Sequence, residues 1–198
     1  EKYRSHFTTF EYENYLIEGN KILPKFIEFH AESWLQSLDF KTEFKIPTEF
    51  QGVPLSGKLD RIDWIQSGIR VMDYKTGKAD IKRVKPPSDK IPNGSDYWQQ
   101  LVFYAILLKN YSPTANARCN STLYFVMPDE NETFQHVEII PTEADLDFLS
   151  GLIKDTYSKI VNRKFTPGCG KKEREWCNYI NAGKVFHLTS NEEEEEEI

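Results

Sequence analysis

The chain has 198 residues, 39% of them hydrophobic, 14% aromatic and 28% charged, a composition that reads as a soluble, globular protein able to bury roughly 70% of its unfolded surface. No run approaches the ~18 apolar residues of a membrane span, and no basic leader with an apolar stretch behind it opens the chain, so neither a membrane anchor nor a secretory signal is expected. Three cysteines (Cys119, Cys169, Cys177) are too few and odd in number for a disulfide scaffold, which makes a reducing cytoplasm the expected setting.

Glu at position 1 reads as the start of a segment cut from a longer protein. In a reducing compartment the four N-x-S/T triplets beginning at Asn93, Asn110, Asn120 and Asn131 carry no glycosylation chemistry. The formal charge of −6 is set by the last residues: Glu192 to Glu197 supply six of 31 acids and leave 25 against 25 bases. Such a block repels itself, so residues 191–198 are expected to form a disordered acidic tail after a single domain over 1–190, with a core at about 20–180. The body is neutral with local surpluses. Lys75, Lys78, Lys82, Arg83, Lys85 and Lys90 face only Asp80 and Asp89; Arg163, Lys164, Lys171, Lys172 and Arg174 face Glu173. Clusters of this kind neutralise phosphates or simply sit in solvent.

From Asn20 the apolar residues Ile22, Leu23, Phe26, Ile27, Ala31, Trp34 and Leu35 follow a 3.6-residue period, which predicts an amphipathic helix with Pro24 in its first turn. Residues 41–47 alternate and end at a proline, as a short strand does. Gln51-Gly52 and Ser56-Gly57 bracket a predicted turn. Leu59 to Ile65 and Ile69 to Tyr74, separated by Gln-Ser-Gly, predict an antiparallel hairpin. Residues 77–95, with three prolines, two glycines and many charges, predict a long loop of the kind that often binds or covers a site. Ser95 or Asp96 caps a helix to about Lys109, with Trp98, Leu101, Val102, Ala105 and Leu108 as its apolar side. Strands follow at Ser121 to Met127 and Phe134 to Ile140. Thr142 and Asp145 form a capping-box pattern for a helix carrying Leu146, Leu149, Ile153, Ile160 and Val161. The order α-β-β-β-α-β-β-α predicts an α/β fold with a sheet flanked by helices.

Two familiar patterns fail. Gly52 to Lys58 matches G-x-x-x-x-G-K, but Leu59 and a strand follow where Ser or Thr and a helix are required. Lys75-Thr76-Gly77 has no S-x-x-K partner to make a serine-enzyme site. The four histidines show no zinc spacing.

What survives is Gly57-x-x-Asp60-Arg-Ile-Asp63, then Asp73-Tyr-Lys75-Thr-Gly77, then Gln100-x-x-x-Tyr104. Asp73 and Lys75 are two apart on a strand and share a face, and Asp60 can approach that face across a hairpin. Two carboxylates at a strand end, with a backbone carbonyl such as that of Tyr74, are hard oxygen ligands suited to Mg²⁺. A lysine beside them could orient water and stabilise charge on a phosphate. Asp-x-Lys also occurs at Asp39 and Asp80, so the tripeptide alone fits a strand-end salt bridge equally well. Gln100 and Tyr104, four apart, share one helical face beside the apolar stripe.

The three motifs, in this order and spacing, resemble the RecB-like nuclease domain of the PD-(D/E)XK superfamily, found at the C-terminus of UvrD-type helicases and in AddAB- and RecBCD-like repair complexes. The resemblance is strong over residues 40–110. It implies a restriction-endonuclease-like core, a mixed central sheet flanked by helices, and a Mg²⁺- or Mn²⁺-dependent phosphodiesterase acting on DNA. By motif position it makes Asp60 and Asp73 metal ligands, with the Tyr74 carbonyl, and Lys75 the water-orienting base. Gln100 and Tyr104 would support the site and contact DNA, and Glu43 matches an acidic residue that often precedes the G-x-x-D strand.

Members coupled to helicases carry a histidine ligand on an upstream helix, for which only His6 and His30 are candidates. Others bind an iron–sulfur cluster through one early and three late cysteines; with no early cysteine and only Cys169 and Cys177 late, none is expected here. The resulting expectation is an exonuclease on single-stranded DNA in repair or recombination, partnered by a helicase motor in the parent chain or another subunit. The alternative is a non-catalytic DNA-binding or docking module that keeps the nuclease fold.

Overall fold

The structure is a computed structural model that describes residues 6–115, 117–164 and 178. The chain divides into two compact units, Glu1–Leu152 and Ile153–Ile198. Cys169, Cys177, the second basic cluster beyond Lys164 and the acidic tail lie outside the described residues.

Eight main elements follow in the order α1 (Thr9–Trp34), β1 (Asp39–Phe50), β2 (Val53–Ile65), β3 (Gly68–Lys75), α2 (Asp96–Lys109), β4 (Cys119–Phe125), β5 (His136–Ile139) and α3 (Glu143–Val161). The strands form one sheet in the order β1-β2-β3-β4-β5. All neighbours are antiparallel except β3 and β4, which run parallel. Parallel neighbours need a crossover, and loop 77–95 with α2 supplies it. The sheet is therefore mixed and flanked by helices, an α/β architecture.

Helix α1 begins at Thr9, well before the Asn20 expected from periodicity. Thr8 and Glu11 form a capping box: the Thr8 hydroxyl accepts the Glu11 N–H at 3.2 Å while the Glu11 carboxylate accepts the Thr8 N–H at 2.9 Å. Pro24 consequently lies inside the helix, not in its first turn. Only Phe26 and His30, one turn apart, are buried on α1; Leu23, Ile27 and Leu35 of the expected apolar stripe are exposed.

β1 is longer than residues 41–47 and continues through Pro47, which stands opposite Ser56. An edge strand tolerates the missing N–H of a proline, because no neighbour on its outer side needs it. The turn expected between Gln51-Gly52 and Ser56-Gly57 is confined to Gln51-Gly52, and Ser56-Gly57 lies in the interior of β2. Gly57 has no side chain because Leu107 of α2 occupies the space one would need. The Thr142–Asp145 capping box forms as expected, with the Asp145 N–H donating to the Thr142 hydroxyl at 3.2 Å.

Strand alternation gives each sheet face its own core. Val71, Leu123, Phe125, Ile46, Leu59 and Ile62 pack with Leu101, Tyr104, Leu107 and Leu108 of α2. Met72, Tyr124 and Phe134 pack with Phe26 of α1 on the other face. Burial of side chains this size is worth about 1.5–3 kcal/mol each, and α2 buries eight of its residues, so the sheet–α2 layer dominates the fold.

A buried ion cluster ties the end of α1 to the sheet. Asp63 is fully buried and accepts from Arg61 Nε at 2.6 Å, from Arg70 Nη2 at 3.1 Å and from the Ser37 hydroxyl. Arg70 continues to the Ser33 hydroxyl and carbonyl at 2.8 Å each. The second aspartate of the D-R-I-D segment is thus structural.

His30 sits in an aromatic nest, with ring centroids 4.8 Å from Phe26 and 4.7 Å from Tyr124. Burial, reinforced by His136, pushes it down to about 4. A folded state that holds a histidine neutral loses stability when the unfolded chain takes up protons first. Stability should therefore fall as the pH drops from about 6.5 through 4, by about 2–3 kcal/mol. Urea unfolding of His30→Phe across this range should give a flatter profile than wild type. A second expectation concerns Gly68, whose φ of +138° and whose closeness to the Arg118 carbonyl exclude a side chain. Gly68→Ala should cost about 2 kcal/mol in urea unfolding.

Candidate active site

Asp73 lies near the C-terminal end of β3 and points to the α2 face, two residues beyond Val71. It is 3% exposed, so its charge must be met by the protein or by a cation. Its Oδ1 accepts the Tyr104 hydroxyl at 2.8 Å and the Gln100 amide at 3.1 Å. The Lys75 ammonium stands 2.7 Å from its Oδ2, yet that oxygen is buried and has no hydrogen-bond partner of proper geometry.

Gln100 is the hinge of this network. Lys75 can only donate, so it takes the amide oxygen (Nζ to Oε1 2.8 Å), and the NH₂ group remains for Asp73 Oδ1 and for the Tyr104 oxygen at 2.8 Å. Burial first, and then the Asp73 charge and its hydrogen bond, raise the Tyr104 hydroxyl well above its ordinary value, so the phenol remains a donor. Gln100 and Tyr104 thus support Asp73 and Lys75 from one face of α2, spaced by one helical turn.

Asp60 reaches the same face by an irregularity shared between two strands. Phe44, Ile46 and Leu59 pack on the α2 side, and so does Ile62. Leu59 and Ile62 are three apart and would oppose each other in a regular strand. Lys41, paired with Ile62, also reaches this side, its ammonium 5.2 Å from the Phe44 ring and 5.7 Å from that of Trp64. Both strands therefore switch faces at one rung. That rung is Glu43 and Asp60, where Glu43 takes φ +54° and the pair drops out between Thr42↔Arg61 and Phe44↔Leu59.

The switch places Asp60 with Ile62 and Asp73. Its Oδ2 accepts the Tyr74 N–H at 2.9 Å, beyond the last β2–β3 pair, Arg61↔Met72. N–H and C=O of one residue leave a strand on the same side, so the Tyr74 carbonyl faces the edge where Asp60 stands. The Tyr74 ring points the other way, 6.1 Å from Phe26 and 5.8 Å from Tyr124, and burial is the main cause that pushes its hydroxyl up to about 12.

Glu43 is not brought to this cluster. It is an exposed ion-pair partner of Lys58, and its structural part is the left-handed rung itself. His30 lies on the α1 face of the sheet, opposite Asp73, and His6 is exposed ahead of α1. Tyr97 was not among the candidate residues, although its ring lies 5.1 Å from the Lys75 ammonium. Its position three residues before Gln100, on one side of α2, was the available signal.

The residues fit a divalent metal. Among the described residues no group of three or more His, Cys, Asp or Glu gathers. Mg²⁺ nevertheless asks for only one or two carboxylates, completing its shell with water and substrate phosphate. The buried Asp73 Oδ2 without a hydrogen-bond partner is the donor such an ion would use, with Asp60 and the Tyr74 carbonyl beside it.

Comparison with known proteins bears on the family and the fold. No curated protein matches the sequence. A solved structure described as a "putative exonuclease" from Eubacterium rectale superposes with a TM-score of 0.51 at 14% identity, over 81% of this chain and 58% of that one. This is a likeness of fold, and the present chain spans little more than half of that protein. The structure of SSO0001 gives a TM-score of 0.40 at 20% identity over 79% and 68% of the two chains, too slight to carry an argument. The family model of the PD-(D/E)XK nuclease superfamily matches residues 3–182. With nearly the whole chain covered and the mixed sheet in place, the chain belongs to the PD-(D/E)XK nuclease superfamily.

Proposed function

We propose that this domain is a Mg²⁺- or Mn²⁺-dependent deoxyribonuclease of the RecB-like branch, acting as an exonuclease on single-stranded DNA within a helicase–nuclease of DNA repair or recombination. The observation that carries the reading is the Asp73 carboxylate, buried beside Asp60 and held on one oxygen by Tyr104 and Gln100, with the other left to Lys75 alone. The exonuclease mode accords with the description of the Eubacterium rectale fold relative. The helicase context rests on the motif order, with the motor supplied by the parent chain or a partner subunit.

When bound, a divalent cation held by Asp60, Asp73 and the Tyr74 carbonyl supplies charge neutralisation at the phosphate and a more acidic water. The protein's own groups do the rest. Tyr104 and Gln100 fix the Asp73 carboxylate, so its free oxygen needs no reorganisation to accept a ligand. Asp60, anchored on the Tyr74 N–H, keeps its position on the neighbouring strand. Lys75, steered by Gln100 and the Tyr97 ring, presents its ammonium to the attacking water and to the phosphate oxygens as charge builds on them. Water oxygen bonds to phosphorus and gives up a proton to solvent, the phosphorus–sugar oxygen bond breaks, and the released sugar oxygen takes up a proton from solvent. Phosphodiester hydrolysis is very slow uncatalysed, and preorganised charge of this kind is usually the largest contribution to its acceleration.

Asp73→Ala should abolish Mg²⁺- or Mn²⁺-dependent degradation of single-stranded DNA, a loss of about 10³-fold or more, and chelation should do the same to wild type. Calorimetric titration with Mn²⁺ should show a site that Asp60→Asn weakens. Activity indifferent to both Asp73→Ala and chelation would overturn the reading; DNA binding without metal binding or hydrolysis would mark a non-catalytic module. Gln100→Leu should lower kcat by about 10²-fold through misplacement of Lys75, with unchanged DNA affinity in chelator.

A further inference from the structure

The loop between β3 and α2 begins two residues after Lys75 and carries five bases, Lys78, Lys82, Arg83, Lys85 and Lys90, against Asp80 and Asp89. It has no core-like composition, yet it is held in one shape. Asp80 accepts the Lys82 N–H at 3.2 Å and starts a short 3₁₀ turn over Ile81–Arg83. Ser88 and Ile91 exchange backbone hydrogen bonds at 3.0 Å each.

Ser95 then gathers the loop onto the start of α2. Its hydroxyl does not cap the helix. Instead it donates to the Arg83 carbonyl at 2.6 Å and accepts the Lys85 N–H at 2.6 Å, while its own N–H donates to the Lys85 carbonyl at 2.9 Å. Gly94, at φ +72°, lets the chain pass where the Trp98 ring would meet any side chain. Ala79 and Val84 pack against the core on the α2 side, which is the face of Asp73.

One arginine is spent on this architecture. Arg83 holds the Asp96 carboxylate (Nε to Oδ1 3.0 Å), donates to the Tyr97 hydroxyl at 2.8 Å and lies 3.9 Å from the centre of the Tyr97 ring. That ring is also the one 5.1 Å from the Lys75 ammonium. Tyr97 thus joins the loop to the lysine of the site. The remaining bases, Lys78, Lys82, Lys85 and Lys90, are exposed, and none is in an ion pair with a described residue. Folding has fixed their backbone and left their charges unspent.

We propose that Lys78, Lys82, Lys85 and Lys90 form a phosphate-binding track that holds the DNA strand beside the scissile bond. The inference rests on the nuclease reading and names the residues that grip the substrate outside the reacting group. Arg83, Ser95 and Tyr97 are its positioning residues, setting the track in register with Lys75. Lysines act as point charges on phosphates and read no sequence, so the track is indifferent to base identity.

The test is fluorescence anisotropy of labelled oligo(dT) in chelator over a series of salt concentrations, on wild type, on the variant Lys78→Ala/Lys82→Ala/Lys85→Ala/Lys90→Ala, and on the control Lys21→Ala/Lys25→Ala/Lys41→Ala. Each lost phosphate contact on single-stranded DNA removes about 0.7 from the slope of log affinity against log salt. The quadruple variant should be shallower by about 2–3, and the control should match wild type. With metal present its KM should rise at least about tenfold at unchanged kcat. Equal slopes for wild type and the quadruple variant, an equal loss in the control, or no DNA binding by wild type would each overturn the track. Loss of hydrolysis in Asp73→Ala with equal slopes would leave the nuclease standing without the track. A changed slope in a protein that never cleaves would leave the track without the nuclease.

Discussion

A negative charge buried at the end of a β-strand is the constraint around which this domain is organised. Asp73 is almost without solvent, and burying a carboxylate there without partners would be costly. The fold answers with two neutral donors from α2 on one oxygen and an ammonium near the other. All three come from the motif positions Lys75, Gln100 and Tyr104. The α2 layer therefore serves two purposes with one packing: Leu101, Leu107 and Leu108 close the core, and the polar side chains between them reach the strand end. Lys75 is the counter-ion of Asp73, and in the proposed reaction the same lysine turns to a phosphate when a stronger cation takes its place.

The arrangement also depends on separating the two faces of the sheet. Aromatic residues fill the α1 side, and the Asp63 cluster pins the end of α1 there through Arg61, Arg70, Ser33 and Ser37. A buried pair of this type is costly to break, so it fixes β2 beside β3 with their polar ends displayed on the opposite face. The two aspartates of one four-residue segment are divided between the faces: Asp63 closes the structural cluster, and Asp60, three positions before it, stands on the side of Asp73.

Much of this was legible in the sequence. The element order follows from periodicity, and Asp73, Lys75, Gln100 and Tyr104 meet because strand spacing of two and helix spacing of four are fixed by backbone geometry. The misreadings have physical causes. Periodicity alone starts α1 late because its early turns are largely exposed, although Thr8 and Glu11 spell a capping box. Glycine marks turns and close contacts alike, so the expected turn extends to Ser56-Gly57, and only the presence of Leu107 assigns Gly57 to a close contact. Glu43 is linked to the site by the family resemblance alone, and a left-handed rung sends its side chain to Lys58. The joint change of face at Glu43 and Asp60 has no sequence signature, because both strands keep their register on either side of it.

That double slip has a consequence for how the domain tolerates change. An irregularity confined to one strand can be removed by a single deletion, after which the neighbour simply re-pairs. Here the two departures share one rung and cancel, so Phe44 stays opposite Leu59 on the α2 side and Lys45 opposite Lys58; losing residue 43 alone would leave the departure in β2 as a one-strand bulge at Asp60.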